Sequence, residues 1–215
     1  MKVSRFVKTA SRILIVALII NLFFAPTSVQ AKSKKQAALK AYSDFLSKKK
    51  IDWGDGIKAP SATSQFALIY LDKNDIPELV VVNTQISHAN GWCNTYTYNK
   101  GKLVRLPGGG DTVSYYEKKG VLVTEYPVGG AYDCYYNVSG SKAKLFLNYE
   151  LRESPGYFRD TTYSKIVTSA KKTIWKKISK KEFQKLLKKK VGKTKRTEPK
   201  LYQNSAENRK MVLGY

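Results

Sequence analysis

One stretch, Ser64–Asn83, constrains the fold of this chain more than any other. It contains two apolar runs rich in β-branched and aromatic residues, FALIYL and LVVV. A polar segment, Asp72–Asp75, lies between them and is closed by Pro77. Such runs on either side of an Asp-, Asn- and Pro-containing segment predict a β-hairpin. Because both arms are almost entirely apolar, we expect at least one of them to be buried on both faces of its sheet.

The turn of this hairpin carries a resemblance to known proteins. Residues Tyr70–Leu79, YLDKNDIPEL, resemble the D-x-N-x-D-G-x-P-E-L loop of FG-GAP/VCBS-type extracellular repeats. They are more similar to a shortened form of that loop found in secreted proteins of Gram-positive anaerobes. Two C-terminal stretches, Ile178–Phe183 and Asn204–Arg209, also resemble that group. The resemblance implies a secreted, mostly β protein and implies no particular activity.

In the complete loop of that family, oxygens spaced by two residues bind calcium. The matching positions here are Asp72 and Asn74, with Asp75 and Glu78 as further candidates. This loop lacks the family's glycine and is shorter, so few oxygens can converge on an ion that takes six to eight of them. We therefore predict a structural turn in which the first two side chains cap backbone N–H groups. No metal and no cofactor is predicted.

The N-terminal residues have the pattern of a secretory signal peptide over residues 1–31. A leader with four basic residues precedes the apolar stretch Ile13–Phe24, and a small-residue cleavage site ends at Ala31. The apolar stretch is shorter than the roughly 20 residues of a membrane-spanning helix. We expect no membrane span after its removal and a secreted protein, at most loosely associated with the cell surface. Residues 32–215 are predicted to form one α+β domain whose cationic C-terminal part is 171–215.

Apolar spacing and capping residues predict three helices. Residues Lys34–Lys50 have apolar side chains at helical spacing and lysines on the opposite side. Ser179 with Glu182 forms a capping box that opens a lysine-rich helix ending at Gly192. A short helix capped by Asn204 or Ser205 is predicted to run to Leu213. Before the capping box, Thr173–Ile178 is predicted as the last strand.

The middle of the chain predicts an antiparallel β-meander. Three glycine-containing turns, each preceded by a pair of tyrosines, interrupt β-prone runs: Asn99–Gly101, Lys118–Gly120 and Ser139–Ser141. Residues 143, 145, 147 and 149 alternate with polar ones, and we expect this apolar face to pack against the Lys34–Lys50 helix. Residues 52–60 are predicted as a loop, and residues 150–168 as a looser segment.

The chain contains two cysteines, Cys93 and Cys134. Because cysteines of exported proteins usually form disulfides, a bridge between them is predicted. In a flat meander the two strands would be roughly 19 Å apart, which exceeds the roughly 7 Å that a disulfide spans. The bridge therefore requires a sheet that curls into a sandwich or partial barrel, or a different strand order.

Positive charge is concentrated near the C-terminus. The formal charge of +23 becomes +19 when the four basic residues of 1–31 are removed. Residues 171–200 contain fourteen Lys or Arg and two Glu, a net charge of +12. A concentration of this size attracts polyanions. The predicted polyanion-binding residues are Lys180, Lys181, Lys185, Lys188, Lys189, Lys190, Lys193, Lys195 and Arg196.

The composition of this basic region indicates the kind of partner. Lysine greatly outnumbers arginine, which favours diffuse attraction over bidentate recognition of phosphates or bases. The expected partners are anionic polymers such as teichoic acid or glycosaminoglycans, and nucleic acid would be bound only non-specifically. The other interpretation is a solvated face that keeps the protein soluble.

The sequence gives little support to catalysis. It has one histidine, His88, and no G-x-S-x-G or H-E-x-x-H motif. A Cys–His nucleophile would need His88 with Cys93, and a disulfide at Cys93 would remove it. We therefore favour a non-enzymatic binding protein, with no catalytic residue assigned. The alternative is a small carbohydrate- or peptide-binding module, or a carbohydrate-active enzyme, that uses the tyrosine-rich sheet.

Overall fold

The structure, a computed structural model, describes residues 27–54, 56–87, 90–127, 130–154, 157–168 and 172–215. The chain divides into the units Met1–Ala37 and Ala38–Tyr215. The predicted signal peptide lies mostly outside the described residues and stays a prediction. No helix among the described residues is long and apolar enough to cross a membrane.

The described residues form three α-helices, one short 3-10 helix (Ser61–Thr63) and fourteen strands. The helices are α1 (Thr27–Leu46), α2 (Lys180–Val191) and α3 (Ala206–Leu213). The first strands are β1 (Lys50–Gly54), β2 (Ile57–Pro60), β3 (Gln65–Ile69), β4 (Glu78–Val82), β5 (Cys93–Asn99), β6 (Lys102–Arg105) and β7 (Thr112–Tyr116). The others are β8 (Val121–Tyr126), β9 (Gly130–Ser139), β10 (Lys142–Ser154), β11 (Tyr157–Thr168), β12 (Thr173–Ile178), β13 (Arg196–Thr197) and β14 (Tyr202–Gln203).

The predicted hairpin is at the centre of a five-stranded sheet with the order β14-β3-β4-β5-β6. Strands β3 and β4 pair antiparallel, with Gln65 opposite Val82 and Ile69 opposite Glu78. All five residues of β4 are buried. Its side chains alternate between two core clusters, Leu79 and Val81 in one and Val80 and Val82 in the other. The prediction that one arm is buried on both faces is therefore confirmed.

Helix α1 and the strands that follow it cover the outer face of this sheet. Ala38, Tyr42 and Leu46 are fully buried there, and the Tyr42 hydroxyl donates a hydrogen bond to the carbonyl of Pro77 over 2.7 Å. The helix ends at Leu46, before the predicted Lys50. The predicted loop over residues 52–60 is wrong, because β1 and β2 pair as a hairpin. Strand β1 alternates between buried and exposed residues, as expected of a half-buried strand.

The second sheet has seven strands in the order β12-β11-β10-β9-β8-β7-β13. All its pairings are antiparallel. The three predicted glycine turns are confirmed, since they connect β5 to β6, β7 to β8 and β9 to β10. The meander is not one sheet, because the chain leaves the five-stranded sheet after β6 and enters the seven-stranded sheet at β7. The α+β class with antiparallel sheets and a helix at each end of the domain is confirmed.

The two sheets pack face to face. One apolar cluster combines Ala67, Val80 and Val82 of the first sheet with Val113 and Leu122 of the second. Hydrogen bonds reinforce the contact at the β7–β8 turn, where the N–H of residue 118 donates to the carbonyl of residue 70 over 2.8 Å. The domain is therefore a β-sandwich, with helices on its outer faces.

A β-bulge in β10 overturns the predicted apolar face of residues 143–149. Leu145 pairs with Tyr136 and Leu147 with Tyr135, so Phe146 is an extra residue in the ladder. An inserted residue moves every later side chain to the opposite face. Ala143 packs toward the five-stranded sheet, whereas Leu147 packs with α2. This face does not meet α1, and residues 150–168, predicted to be loose, belong mainly to the long strands β10 and β11.

Helix α2 packs on the outer face of the seven-stranded sheet. The N-cap Ser179 accepts a hydrogen bond from the N–H of Glu182 over 3.1 Å, and the helix ends at Gly192 with φ 63°. Helix α3 is capped by Ser205, which accepts from the N–H of Asn208 over 3.1 Å. Both predicted caps are confirmed.

The C-terminal segment joins both sheets. Arg196 of β13 pairs with Tyr116 of β7, while Tyr202 of β14 pairs with Phe66 of β3. The side-chain amide of Asn204 then donates to the carbonyl of Leu46, the last residue of α1, over 2.9 Å. Residues near the two ends of the compact unit thus contact each other directly.

Candidate functional site

The orientation of α2 determines which of its side chains face solvent. Phe183 is 5% exposed and packs between two tyrosine rings. Its ring centroid lies 5.4 Å from that of Tyr135, in an edge-on arrangement, and 5.2 Å from that of Tyr163. Val191 is buried in the same cluster, and Leu186 and Leu187 pack against it. The spacing of these residues at three, four and eight positions holds one stripe of the helix against the sheet.

The lysines of α2 lie on the remaining face. We call Lys180, Lys181, Lys185, Lys188, Lys189, Lys190, Lys193 and Lys195 the lysine surface, and all eight are exposed. Six of them belong to α2 and two follow it. Among the described residues, no ion pair joins any member of the lysine surface to an acidic side chain. Glu182, the only acidic residue of α2, instead pairs with Lys165 of β11 over 2.7 Å.

Arg196 does not belong with these lysines. Its guanidinium forms ion pairs with Glu125 and, over 2.7 Å, with Asp133, and its Nε donates to the Ser114 hydroxyl over 2.6 Å. Although burial alone would lower the pKa of Arg196, the hydrogen bond and charge of Asp133, with the charge of Glu125, raise it. Arg196 therefore connects β13 to the sheet, and we remove it from the proposed polyanion-binding set.

A cavity of about 520 Å³ adjoins the lysine surface, between α2 and strands β10 and β11. Its apolar lining includes Phe146 and Leu186, and its cationic lining is Lys165, Lys189 and Lys190. The ammonium group of Lys190 lies 5.9 Å from the centre of the Phe146 ring and donates to the side chain of Asn137 over 3.1 Å. No signal in the sequence points to Lys165, because it is on a strand distant in sequence that only the sheet brings beside α2.

The two cysteines belong to different sheets. Cys93 opens β5 in the five-stranded sheet, and Cys134 lies in β9 of the seven-stranded sheet. Both are free thiols in the structure. The Cys93 thiol donates to the carbonyl of Asp111 over 3.1 Å, while the Cys134 sulfur accepts from the side-chain amide of Asn148 over 3.5 Å. The predicted bridge is thus absent from this structure; its formation after export stays a prediction that the intact mass of the non-reduced protein tests.

The environment of Cys93 does not activate a nucleophile. Burial, together with the charges of Asp111 and Glu125, raises the pKa of the Cys93 thiol to about 12. A thiol with this pKa is almost entirely protonated near neutral pH, and only the thiolate is strongly nucleophilic. His88, the histidine that a Cys–His nucleophile with Cys93 would need, lies outside the described residues.

The Asp72–Glu78 turn is built by its own side chains. Asp72 accepts from the N–H of Asn74 over 2.9 Å, and Asn74 accepts from the N–H of Ile76 over 2.8 Å. These two contacts confirm the predicted side-chain caps. Glu78 points into the core and accepts from the N–H of Leu71 over 3.0 Å. Among the described residues no group of three or more His, Cys, Asp or Glu is arranged to hold a metal ion.

Glu78 is a buried carboxyl group whose environment the sequence did not reveal. Its residue is 2% exposed. Burial is the main reason that the pKa of Glu78 rises to about 7, and the hydrogen bond from Leu71 opposes this rise only in part. Glu78 thus fixes the end of β3 to the start of β4 and titrates near neutral pH.

Most of the tyrosine pairs identified in the sequence are part of the core. Tyr96, Tyr116 and Tyr135 are buried, whereas Tyr115 and Tyr136 are partly buried against the sandwich interior. They do not form an open aromatic platform. No family model, no curated protein and no solved structure matches this chain.

Proposed function

We propose that this protein is secreted and binds anionic polymers of the cell surface or its surroundings through the lysine surface. The observation that carries the proposal is the arrangement of α2, in which a buried apolar stripe orients a set of exposed lysines toward solvent. Because no described acidic residue neutralises them, their charges are available to an external anion. Teichoic acids and glycosaminoglycans have the repeated phosphates, sulfates or carboxylates that such a surface attracts.

The cavity beside α2 supports the same proposal. Lys189 and Lys190 belong both to the lysine surface and to the cavity lining. An anionic group at this position would meet these two ammonium groups, whereas the third lysine of the lining, Lys165, is already paired with Glu182. Lysine ammonium groups act as point charges rather than as bidentate partners, so we expect selection for charge density over a particular sugar or base.

The test is retention on immobilised heparin and teichoic acid as a function of salt. The variant Lys185→Gln/Lys188→Gln/Lys189→Gln/Lys190→Gln keeps helix propensity while removing four charges. We expect weaker binding and a flatter salt dependence, because each lost lysine–anion contact reduces the slope of log affinity against log salt by about one.

A matched control separates local binding from total charge. The variant Lys58→Gln/Lys73→Gln/Lys102→Gln/Lys119→Gln also removes four exposed lysines, all of them outside α2. It should bind almost as well as the parent. Equal losses in the two variants would show that only net charge matters, and a parent that does not bind at physiological salt would refute the proposal.

A further inference from the structure

The two sheets of the sandwich differ in width, and part of the wider one is left open. The seven-stranded sheet contributes to the apolar cluster between the sheets only through β7, β8, β9 and the start of β10. Within the described residues, no side chain of β11 or β12 contributes to that cluster. On this face of the seven-stranded sheet, the five-stranded sheet therefore does not cover the part formed by β11 and β12.

A groove of about 380 Å³ lies on this open part of the face. Strand pairing places its residues on one side of the sheet. Tyr126 is opposite Tyr132, which is opposite Glu150. Asn148, two residues before Glu150, is opposite Ser164, and Trp175 is opposite the residue two positions after Ser164. Trp175 is 53% exposed, an unusual position for the largest apolar side chain. Because the β10 bulge determines which residues face this side, the sequence alone did not bring them together.

Tyr126 and Trp175 supply aromatic rings to the groove. Tyr126 donates its hydroxyl to the carbonyl of Gly109, which holds its ring at one wall. Trp175, on the edge strand β12, belongs to the other wall. An exposed indole and a fixed phenol ring present flat apolar faces on which the C–H face of a sugar ring can pack.

The polar part of the groove is charged but balanced. Arg152 and Glu150 form an ion pair, with 69% of the arginine side chain and 16% of the glutamate side chain exposed. Asn148 also lines the groove, but it is buried and its amide donates within the protein, to the carbonyl of Asp133 over 3.4 Å. The guanidinium and the carboxylate of the ion pair offer both donors and acceptors to the hydroxyls of a ligand. Since the two charges cancel, the groove lacks the excess positive charge of the lysine surface.

We propose that this groove binds a neutral oligosaccharide, separately from the polyanion site on α2. Flat aromatic walls and a few converging polar groups are the usual composition of a small-ligand site. A hydroxyl-rich ligand without charge fits both parts of the lining, whereas a purely apolar ligand would leave the remaining donors and acceptors of the ion pair unsatisfied.

The test uses cellohexaose and N-acetylated chitohexaose as probes and tryptophan emission as the signal. The Trp53 and Trp92 indole N–H groups each donate to a backbone carbonyl, over 2.9 and 2.8 Å, and Trp53 is 1% exposed. Binding in the groove should therefore shift mainly the emission of Trp175 to shorter wavelength. By calorimetry, we expect Trp175→Ala to weaken binding roughly tenfold and Trp175→Phe to weaken it less.

The matched control is Ile174→Ala. Ile174 is 47% exposed on the same edge strand, but its side chain points to the opposite face. It should leave oligosaccharide binding unchanged, and so should the quadruple glutamine variant of α2. Binding should also be nearly independent of salt, which distinguishes it from polyanion binding.

Several results would overturn the proposal. If neither oligosaccharide produces a saturable change in emission at millimolar concentration, the groove is not a glycan site. Equal losses in the Trp175→Ala and Ile174→Ala variants, together with binding of an extended peptide, would instead identify β12 as an edge strand that pairs with another chain. A steep salt dependence that disappears in the α2 variant would assign the sugar contact to the lysine surface.

Discussion

Helices α1 and α2 both pack on a β-sheet, but they do so with very different results. Helix α1 buries Ala38, Tyr42 and Leu46 completely. Helix α2 buries only Phe183 and Val191, at 5% exposure each, and leaves its lysines in solvent. Because stabilisation grows with the apolar area removed from water, the first contact contributes mainly to folding. The contact between α2 and its sheet is strong enough to orient this helix, while most of the surface of α2 stays available to a partner.

The largest expected effect tests this difference with the same substitution in both helices. Leu46→Ala removes a fully buried side chain and should lower the free energy of unfolding by about 4 kcal/mol. Leu186→Ala in α2 removes a half-buried one and should lower it by about 1 kcal/mol. Denaturant unfolding at one pH measures both. Similar losses would show that the two helix–sheet contacts are equally important for stability.

The next effect concerns Glu78, the buried carboxyl beneath α1. Its pKa is raised from 4.5 to about 7 in the folded state, so the folded protein binds the proton more tightly than the unfolded chain. The free energy of unfolding should therefore rise as the pH falls from 7 to 4.5, by at most about 3 kcal/mol. Glu78→Gln should abolish this rise and be more stable than the parent above pH 7.

A surface acid provides the control for that experiment. Glu117→Gln alters an exposed turn residue and should leave the pH dependence of the parent unchanged. Thermal or denaturant unfolding between pH 4 and 8 measures both variants. If the Glu78→Gln profile followed that of the parent, another group would be responsible for the titration.

The smallest effect is expected at the helix caps. Ser179→Ala removes the N-cap of α2, and Ser205→Ala removes that of α3, which packs on the α1 side through Leu213. Each hydroxyl accepts one backbone N–H, so each substitution should lower the free energy of unfolding by about 1 kcal/mol. Nearly equal losses of stability in the two variants would show that the two sides of the molecule differ in their apolar packing and not in their helix caps. A much larger loss in one variant would show that the helix ends also contribute to the difference.

Local signals in the sequence predicted local structure well. The hairpin around Asp72–Glu78, the three glycine turns and both serine caps depend on side chains within a few residues of the backbone groups they affect. Such features are encoded by short segments. The helical spacing of the apolar stripe that contains Phe183 likewise leaves the lysines of α2 on the exposed face.

Features that depend on distant segments were not predicted. The bulge at Phe146 has no signature in the sequence, and it alone changes the face on which Leu147 lies. The division of the meander into two sheets depends on how the β7 and β8 strands pack on the central hairpin. Arg196 was grouped with the lysines because its carboxylate partners, Asp133 and Glu125, are 63 and 71 residues away in sequence. The groove at Trp175 was missed for the same reason.

The way the C-terminal segment joins both sheets has a consequence for how this chain folds. The bond from Asn204 to Leu46 spans 158 residues, and that from Gln203 to Ala62 spans 141. Contacts this distant in sequence close late and slow folding. Neither sheet has its last strand until residues 196–203 are present, so a growing chain cannot complete the domain before this segment has been synthesised. For a protein that we propose to be exported, this delay would keep the preceding part of the domain unfolded and fit for translocation until then.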